Sequence, residues 1–187
     1  MIVETAGESL ARRLRAERER RGWSITELAG RAAISKSMIS KVERAEASPT
    51  AALLGRLSGA FGMTMSSLLE DQPAMPSRVI RRAEQSIWRD PATGYLRRTV
   101  CPPGRGRVEI TEVTLPAGAR VAFPKEAYAF TDHQIWMRKG VLHFVEGKAV
   151  HELHAGDHLT LGPPSDCRYE NRQRKECTYT VMLIRSR

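Results

Sequence analysis

The sequence has little with which to cross-link, anchor or export itself. Its 187 residues include three cysteines, Cys101, Cys167 and Cys177, an odd set without paired spacing, which argues against a disulfide framework. No apolar run reaches the roughly 20 residues of a membrane span. The N-terminus, MIVETAGESLARRLRAERER, lacks the apolar core of a signal peptide. These absences point to a soluble chain of the reducing cytoplasm, with no membrane partner. Internal repeats and low-complexity tracts are missing too. A chain of this length buries one large core or two small ones.

The charge is present but unevenly placed. The formal net charge is +9, yet residues 1–72 hold 11 Lys/Arg against 9 Asp/Glu, while residues 73–187 hold 19 against 12. The surplus in the second half holds the protein near phosphate, attracts an acidic ligand or solvates a face, and the last is the commonest use. Arg97, Arg98, Arg105 and Arg107 favour an acidic ligand, although arginines in loops are usually just solvated.

The first 70 residues read as helices. Thr5 and Glu8 form a capping box before an arginine-rich run with Leu10 and Leu14 on one face. Arg12, Arg13, Arg15, Arg18, Arg20 and Arg21 alternate there with Glu8, Glu17 and Glu19, as on a solvated face. Ser24 and Glu27 form a second box, and Ser35 caps a third helix whose Met38, Ile39 and Val42 face inward. Ser48 and Pro49 open a fourth helix with Leu53, Leu54, Leu57 and Phe61 as its stripe. Gly62 closes it, and Thr64 begins a short fifth helix through Leu69. Two prolines in 71–76 then break the helical pattern and read as a linker. Beyond it lie short β-type runs at 78–82, 95–101, 108–115, 133–138, 141–145, 158–161, 167–171 and 177–184. Pro, Gly and Asp turns divide them, as expected of a sandwich or barrel. The expected fold is therefore α+β in two domains: a five-helix bundle at 1–72, a linker at 73–77 and an all-β domain at 78–187.

Within 22–50, two capped helices flank a tight turn, and the second carries Lys36, Ser37, Ser40 and Lys41. This is the layout of a helix-turn-helix, whose second helix fits the DNA major groove. Lys36 donates to guanine or phosphate, Ser37 and Ser40 to either, and Lys41 lies one turn along. Arg44 is better placed for the DNA backbone. Ser24 and the amides opening the second helix suit a phosphate, and Ser35 opens the third.

Residues 8–70 resemble the Cro and lambda-repressor-like, or xenobiotic-response-element, family of regulators, in LRAERERRGWSITELA, ISKSMISKVER and LSGAFGMTMSSLLE. The resemblance implies that Lys36, Ser37, Ser40 and Lys41 face bases, and that Arg18 and Glu43 form a buried salt bridge. It also marks a departure. Ile25 stands where family members commonly carry a glutamine that grips the DNA backbone.

Residues 77–185 resemble a cupin, a double-sheet jelly roll, in HQIWMRKG at 133–140 and GDHLTLGPPSDCRYEN at 156–171. Metal-binding cupins use an HxH pair, a glutamate and a later histidine. Here the HxH region reads EAYAF at 126–130, the glutamate position is His133 and the later histidine position is Cys167. Two altered ligands do not make a site, since a catalytic metal needs three suitable protein ligands and an open position. No cofactor is expected, and His133 and Cys167 are weak metal candidates at most. Strand alternation instead places His133, Ile135 and Met137 on an inner face with Cys167 and Tyr169, above Leu142 and Phe144. These either line an effector pocket or simply fill the core. Trp136 points outward, and His143, His151, His154 and His158 are expected at the surface.

The expected function is a sequence-specific regulator that binds a pseudo-palindromic double-stranded DNA operator as a homodimer and whose β domain takes an unknown small-molecule effector. The alternatives are a cupin-type metal-dependent enzyme with an accessory DNA-binding domain, and a regulator whose β domain mediates protein–protein interaction.

Overall fold

The computed structural model describes residues 6–69, 78–104 and 106–185. The expected linker at 73–77, Thr5 of the first capping box and Arg105 lie outside the described residues.

Among the described residues five helices come first: α1 (Ala6–Arg20), α2 (Ile25–Ala32), α3 (Lys36–Glu43), α4 (Ala51–Phe61) and α5 (Met65–Leu69). Their starts are chemically marked. Ser24 accepts from Glu27 N while its own N–H meets the Glu27 carboxylate, completing the expected capping box at α2. Ser35 caps α3 by accepting from Met38 N. The cap of α4 is Thr50, which accepts from Leu53 N, so the expected start at Ser48 falls two residues early. Pro49 precedes the cap, where its missing N–H costs nothing. Gly62 ends α4 in the left-handed conformation, as expected. Leu10, Leu14, Leu28, Ile39, Val42, Leu54, Leu57 and Phe61 fill the space between the helices. Met38 departs from expectation: it is 37% exposed, on the outward side of a helix whose core contacts come from Ile39 and Val42.

Ten strands follow among the described residues: β1 (Ile87–Arg89), β2 (Leu96–Cys101), β3 (Val108–Leu115), β4 (Arg120–Phe123), β5 (Thr131–Lys139), β6 (Val141–Glu146), β7 (Ala149–His154), β8 (His158–Thr160), β9 (Cys167–Glu170) and β10 (Cys177–Arg185). The expected strand at 78–82 does not form; a 3-10 turn at Arg82–Glu84 follows instead. Every pairing is antiparallel, in one sheet ordered β1-β2-β3-β10-β5-β8 and another ordered β4-β9-β6-β7. The two sheets make a jelly-roll sandwich. Tyr169 of one and Tyr179 of the other stack at 5.5 Å across its middle.

The hydrophobic core runs without a break from the helical bundle into the sandwich. The seam is α4, which lies on β4 and on the 3-10 turn Lys125–Tyr128. Gly55 and Gly59, one turn apart, make the approach possible. A Cβ on Gly55 would stand 2.4 Å from a ring carbon of Phe123, and one on Gly59 would stand 2.6 Å from the Cβ of Glu126. Glycine inside a helix costs about 1 kcal/mol relative to alanine, and here that cost is offset by close packing. Asp90 accepts from Ala51 N at 3.1 Å and so brings a carboxylate to the positive end of α4.

Candidate functional site

The first candidate surface is α3. Arg18 of α1 holds it by two parallel bonds to the Glu43 carboxylate, 2.7 and 2.8 Å, while its third contact reaches the Trp23 carbonyl. Both side chains are nearly buried. A bidentate guanidinium–carboxylate pair fixes orientation as well as distance, so α3 is held at a defined angle to α1.

On the outer side, Lys36, Ser37 and Lys41 are exposed. Neither lysine pairs with a carboxylate among the described residues. Ser35 and Ser37 hydroxyls lie 3.2 Å apart. The remaining expected contacts are already engaged within the protein. Arg44 forks onto Glu46 at 2.7 and 2.8 Å and also donates to the Ser40 hydroxyl. Ser24 is committed to its capping box, and the Glu27 carboxylate occupies the positive end of α2, its pKa lowered by the Ser24 backbone N–H. Glu27 and Glu46 thus place two acids beside the positions expected to meet phosphate.

The second candidate lies between the domains. A cavity of about 50 Å³ is lined by Gly55, Ser58, Thr64 and Met65 from the helices. Its β-domain lining includes Tyr95, Arg97, Phe123, Tyr128, His133 and Tyr169. Adjoining it is a cleft of about 450 Å³, bounded by Thr131, Asp132, Leu161 and 162–164. Tyr128 and His133 belong to both, with ring centres 4.7 Å apart. Of the expected pocket residues, His133 and Tyr169 line the cavity. Ile135, Met137, Leu142 and Phe144 are buried in the sandwich core. Cys167 faces a separate cleft with Ala52, Arg56 and Arg168.

Arg97 corrects the reading of a solvated loop arginine: it sits in β2 and is 8% exposed. Tyr95 and Thr99, its alternate neighbours, are buried on the same face. The signal was in the chain, since alternation from Tyr95 through an expected strand already turns residue 97 inward. His143 is a second correction. It is buried rather than at the surface, its Nε2 held 3.0 Å from Glu152 on the neighbouring strand. His154 and His158 are exposed and His151 is partly so.

Burial, with the Arg97 charge in support, pushes the His133 pKa down to about 4, so the ring is neutral at pH 7. Its Nε2 lies 2.8 Å from the Thr131 hydroxyl. Burial pushes the Cys167 thiol up, and its Sγ donates to the Ser165 carbonyl. Neither residue is therefore set up as a reactive or ligating group on its own. Among the described residues no three His, Cys, Asp or Glu side chains come together as a metal cluster.

Residues 9–69 match the family model of a helix-turn-helix domain. The HTH-type transcriptional regulator SutR of Escherichia coli K12 is 34% identical over 76 residues, which span 40% of this chain and 43% of that protein. The chain thus aligns with less than half of that relative. An HTH_3 family transcriptional regulator from Vibrio cholerae, known as a crystal structure, covers 97% of both chains at a TM-score of 0.80 and 22% identity. That likeness extends the shared fold through the β domain. No described helix is long and apolar enough to cross a membrane.

Proposed function

We propose that this chain, whose N-terminal third is a helix-turn-helix domain, is a sequence-specific DNA-binding transcriptional regulator rather than an enzyme, acting in the cytoplasm as a homodimer. The observation that carries the reading is α3: a helix pinned by Arg18–Glu43 that presents Lys36 and Lys41 outward, neither paired with a carboxylate among the described residues. Such a helix fits the major groove, and two copies would read half-sites about 34 Å apart. The β domain is its sensor, because its cavity is lined partly by the DNA-reading domain itself. A small molecule entering there meets residues of α4 and α5, and so has a direct means of biasing the bundle.

The test is selection of bound fragments from random duplex DNA, followed by titration of the selected site with Lys36→Ala and Lys41→Ala. A lysine that reads a base costs about 1–3 kcal/mol when removed and relaxes choice at one position. A lysine that touches only phosphate weakens all sequences alike and lowers the salt slope by about one unit. Unchanged specific affinity in both variants would remove α3 as the reading helix.

A further inference from the structure

Arg97 is a buried cation whose hydrogen-bond partners among the described residues are all neutral. Its guanidinium donates to the Tyr95 hydroxyl at 3.1 Å, the Ser66 hydroxyl at 3.2 Å and the Thr111 hydroxyl at 3.3 Å. Among the described residues no carboxylate lies within 4 Å of it. Glu109, one inward position along β3 from Thr111, accepts instead from Thr64 at 2.7 Å. Burying a charge without a counter-charge is unfavourable, and hydroxyl dipoles compensate only in part. The same cavity is lined by His133, whose Nδ1 is shut off from solvent without a hydrogen-bond partner, and by Tyr128, whose buried hydroxyl lies beside Tyr169 and Cys167. Buried polar groups are almost always satisfied, so an unpartnered ring nitrogen beside a cation with no carboxylate in reach marks a place that lacks something. The cation favours an acceptor carrying negative charge, and His133 Nδ1 donates to the same acceptor when Nε2 accepts from the Thr131 hydroxyl.

The dimensions narrow its chemistry. About 50 Å³ is far below the roughly 300 Å³ of a drug-sized pocket, yet it admits a headgroup. The adjoining cleft that shares Tyr128 and His133, at about 450 Å³, admits a body. We infer that the cavity is a carboxylate subsite: Arg97 receives the carboxylate of a small organic acid whose body lies in the adjoining cleft, and it gives up Ser66 of α5 in doing so. Guanidinium binds carboxylate through two parallel N–H bonds, so it has to turn away from at least one hydroxyl. The contacts to Tyr95 and Thr111 stay within the β domain, whereas Ser66 belongs to the helical bundle. Releasing it removes a polar tie between the two domains. The organic acid thereby acts on the DNA-reading domain from inside the seam, without touching α3. This inference rests on the sensor reading of the β domain but not on the identity of the DNA site.

The experiment uses the full chain and paired probes: hexanoate and phenylacetate, their primary amides, and inorganic phosphate. Isothermal titration calorimetry measures binding, and affinity for the selected DNA is measured separately without any probe. The expected result is that each acid binds at least about tenfold tighter than its amide, a difference of about 1.4 kcal/mol. Phosphate, which has no body for the cleft, binds more weakly than either acid. Arg97→Met abolishes the preference for acid over amide. Ser66→Ala keeps it and binds the acids as tightly as the parent or tighter, because the competing hydroxyl is gone. Should Arg97→Met fail to fold, Ser66→Ala still decides, since weaker acid binding there would make Ser66 a ligand contact and overturn the exchange. The proposal is also overturned by amides that bind as well as acids, by phosphate that binds as well as the acids, or by no acid binding at about 10 mM. Tight amide binding would leave a sensor of neutral ligands. Loss of DNA affinity in the unliganded parent would instead strike at the regulator reading.

Discussion

Helices α3 and α4 are neighbours in sequence and opposites in use. The outer side of α3 is lysine and serine, open to solvent, and its inner side is locked by one ion pair. The outer side of α4 carries no side chain at two positions a turn apart, and the β domain comes to rest there. The first surface keeps two lysines, Lys36 and Lys41, that pair with no carboxylate among the described residues. The second is taken up by a partner within the chain, through shape and not charge. The comparison separates two kinds of specificity: α3 leaves donors exposed for recognition, and α4 removes atoms so that one neighbour fits.

The contrast is broken most severely at the lock on α3. Glu43→Ala leaves the nearly buried Arg18 guanidinium without its carboxylate and is expected to cost about 3 kcal/mol of unfolding free energy, measured by urea denaturation. A loss under about 1 kcal/mol would show that the pair is solvated like a surface bridge. On the α4 side, pH acts through His133. The folded chain refuses a proton that the unfolded chain binds between pH 6.5 and about 4. Stability is therefore full above pH 6.5 and falls as pH falls through that window, by up to about 3 kcal/mol. In His133→Asn that part of the slope vanishes, and parallel pH profiles for the two proteins would refute the burial of a neutral ring. Gly59→Leu drives a side chain into Glu126 and Ala127. It is expected to cost about 1–3 kcal/mol and to split one unfolding transition into two. A single, unshifted transition would mean that α4 has room that the packing denies. The smallest effect is a gain. Ala33 sits at φ 52 in the turn between α2 and α3, and Ala33→Gly relieves the left-handed strain by about 1 kcal/mol. Loss of stability there would show that the alanine methyl makes contacts outweighing its backbone cost.

The helical half was legible because its signals are local. Ser24, Glu27, Ser35 and Gly62 announce helix ends through bonds to residues three or four away, and the leucine stripe needs only one period. The long strands were legible for the same reason: β3 was expected at 108–115 and formed there, with Glu109, Thr111, Val113 and Leu115 inward. Strands β1, β4 and β7 escaped because they are short or largely exposed, so alternation hardly marks them. What sequence reading missed is what depends on the other domain. Gly55 and Gly59 read as weak points of a helix until Phe123 and Glu126 are seen against them. The inward turn of Arg97 was within reach, but its lack of a counter-charge was not, because that depends on where Glu109 points. His143 misled because its partner, Glu152, stands opposite it on the neighbouring strand β7.

The two glycines of α4 also set a rule for exchanging parts. A helix-turn-helix domain moved onto this jelly roll from elsewhere would bring its own lysines and its own operator, but it would seat only if its fourth helix were bare at the same two positions. Charge complementarity would not substitute for them, because a Cβ at either point meets carbon within 2.6 Å. Graftable reading heads are therefore to be sorted by a pair of missing methyl groups far from the DNA, before anything is asked about the bases they recognise.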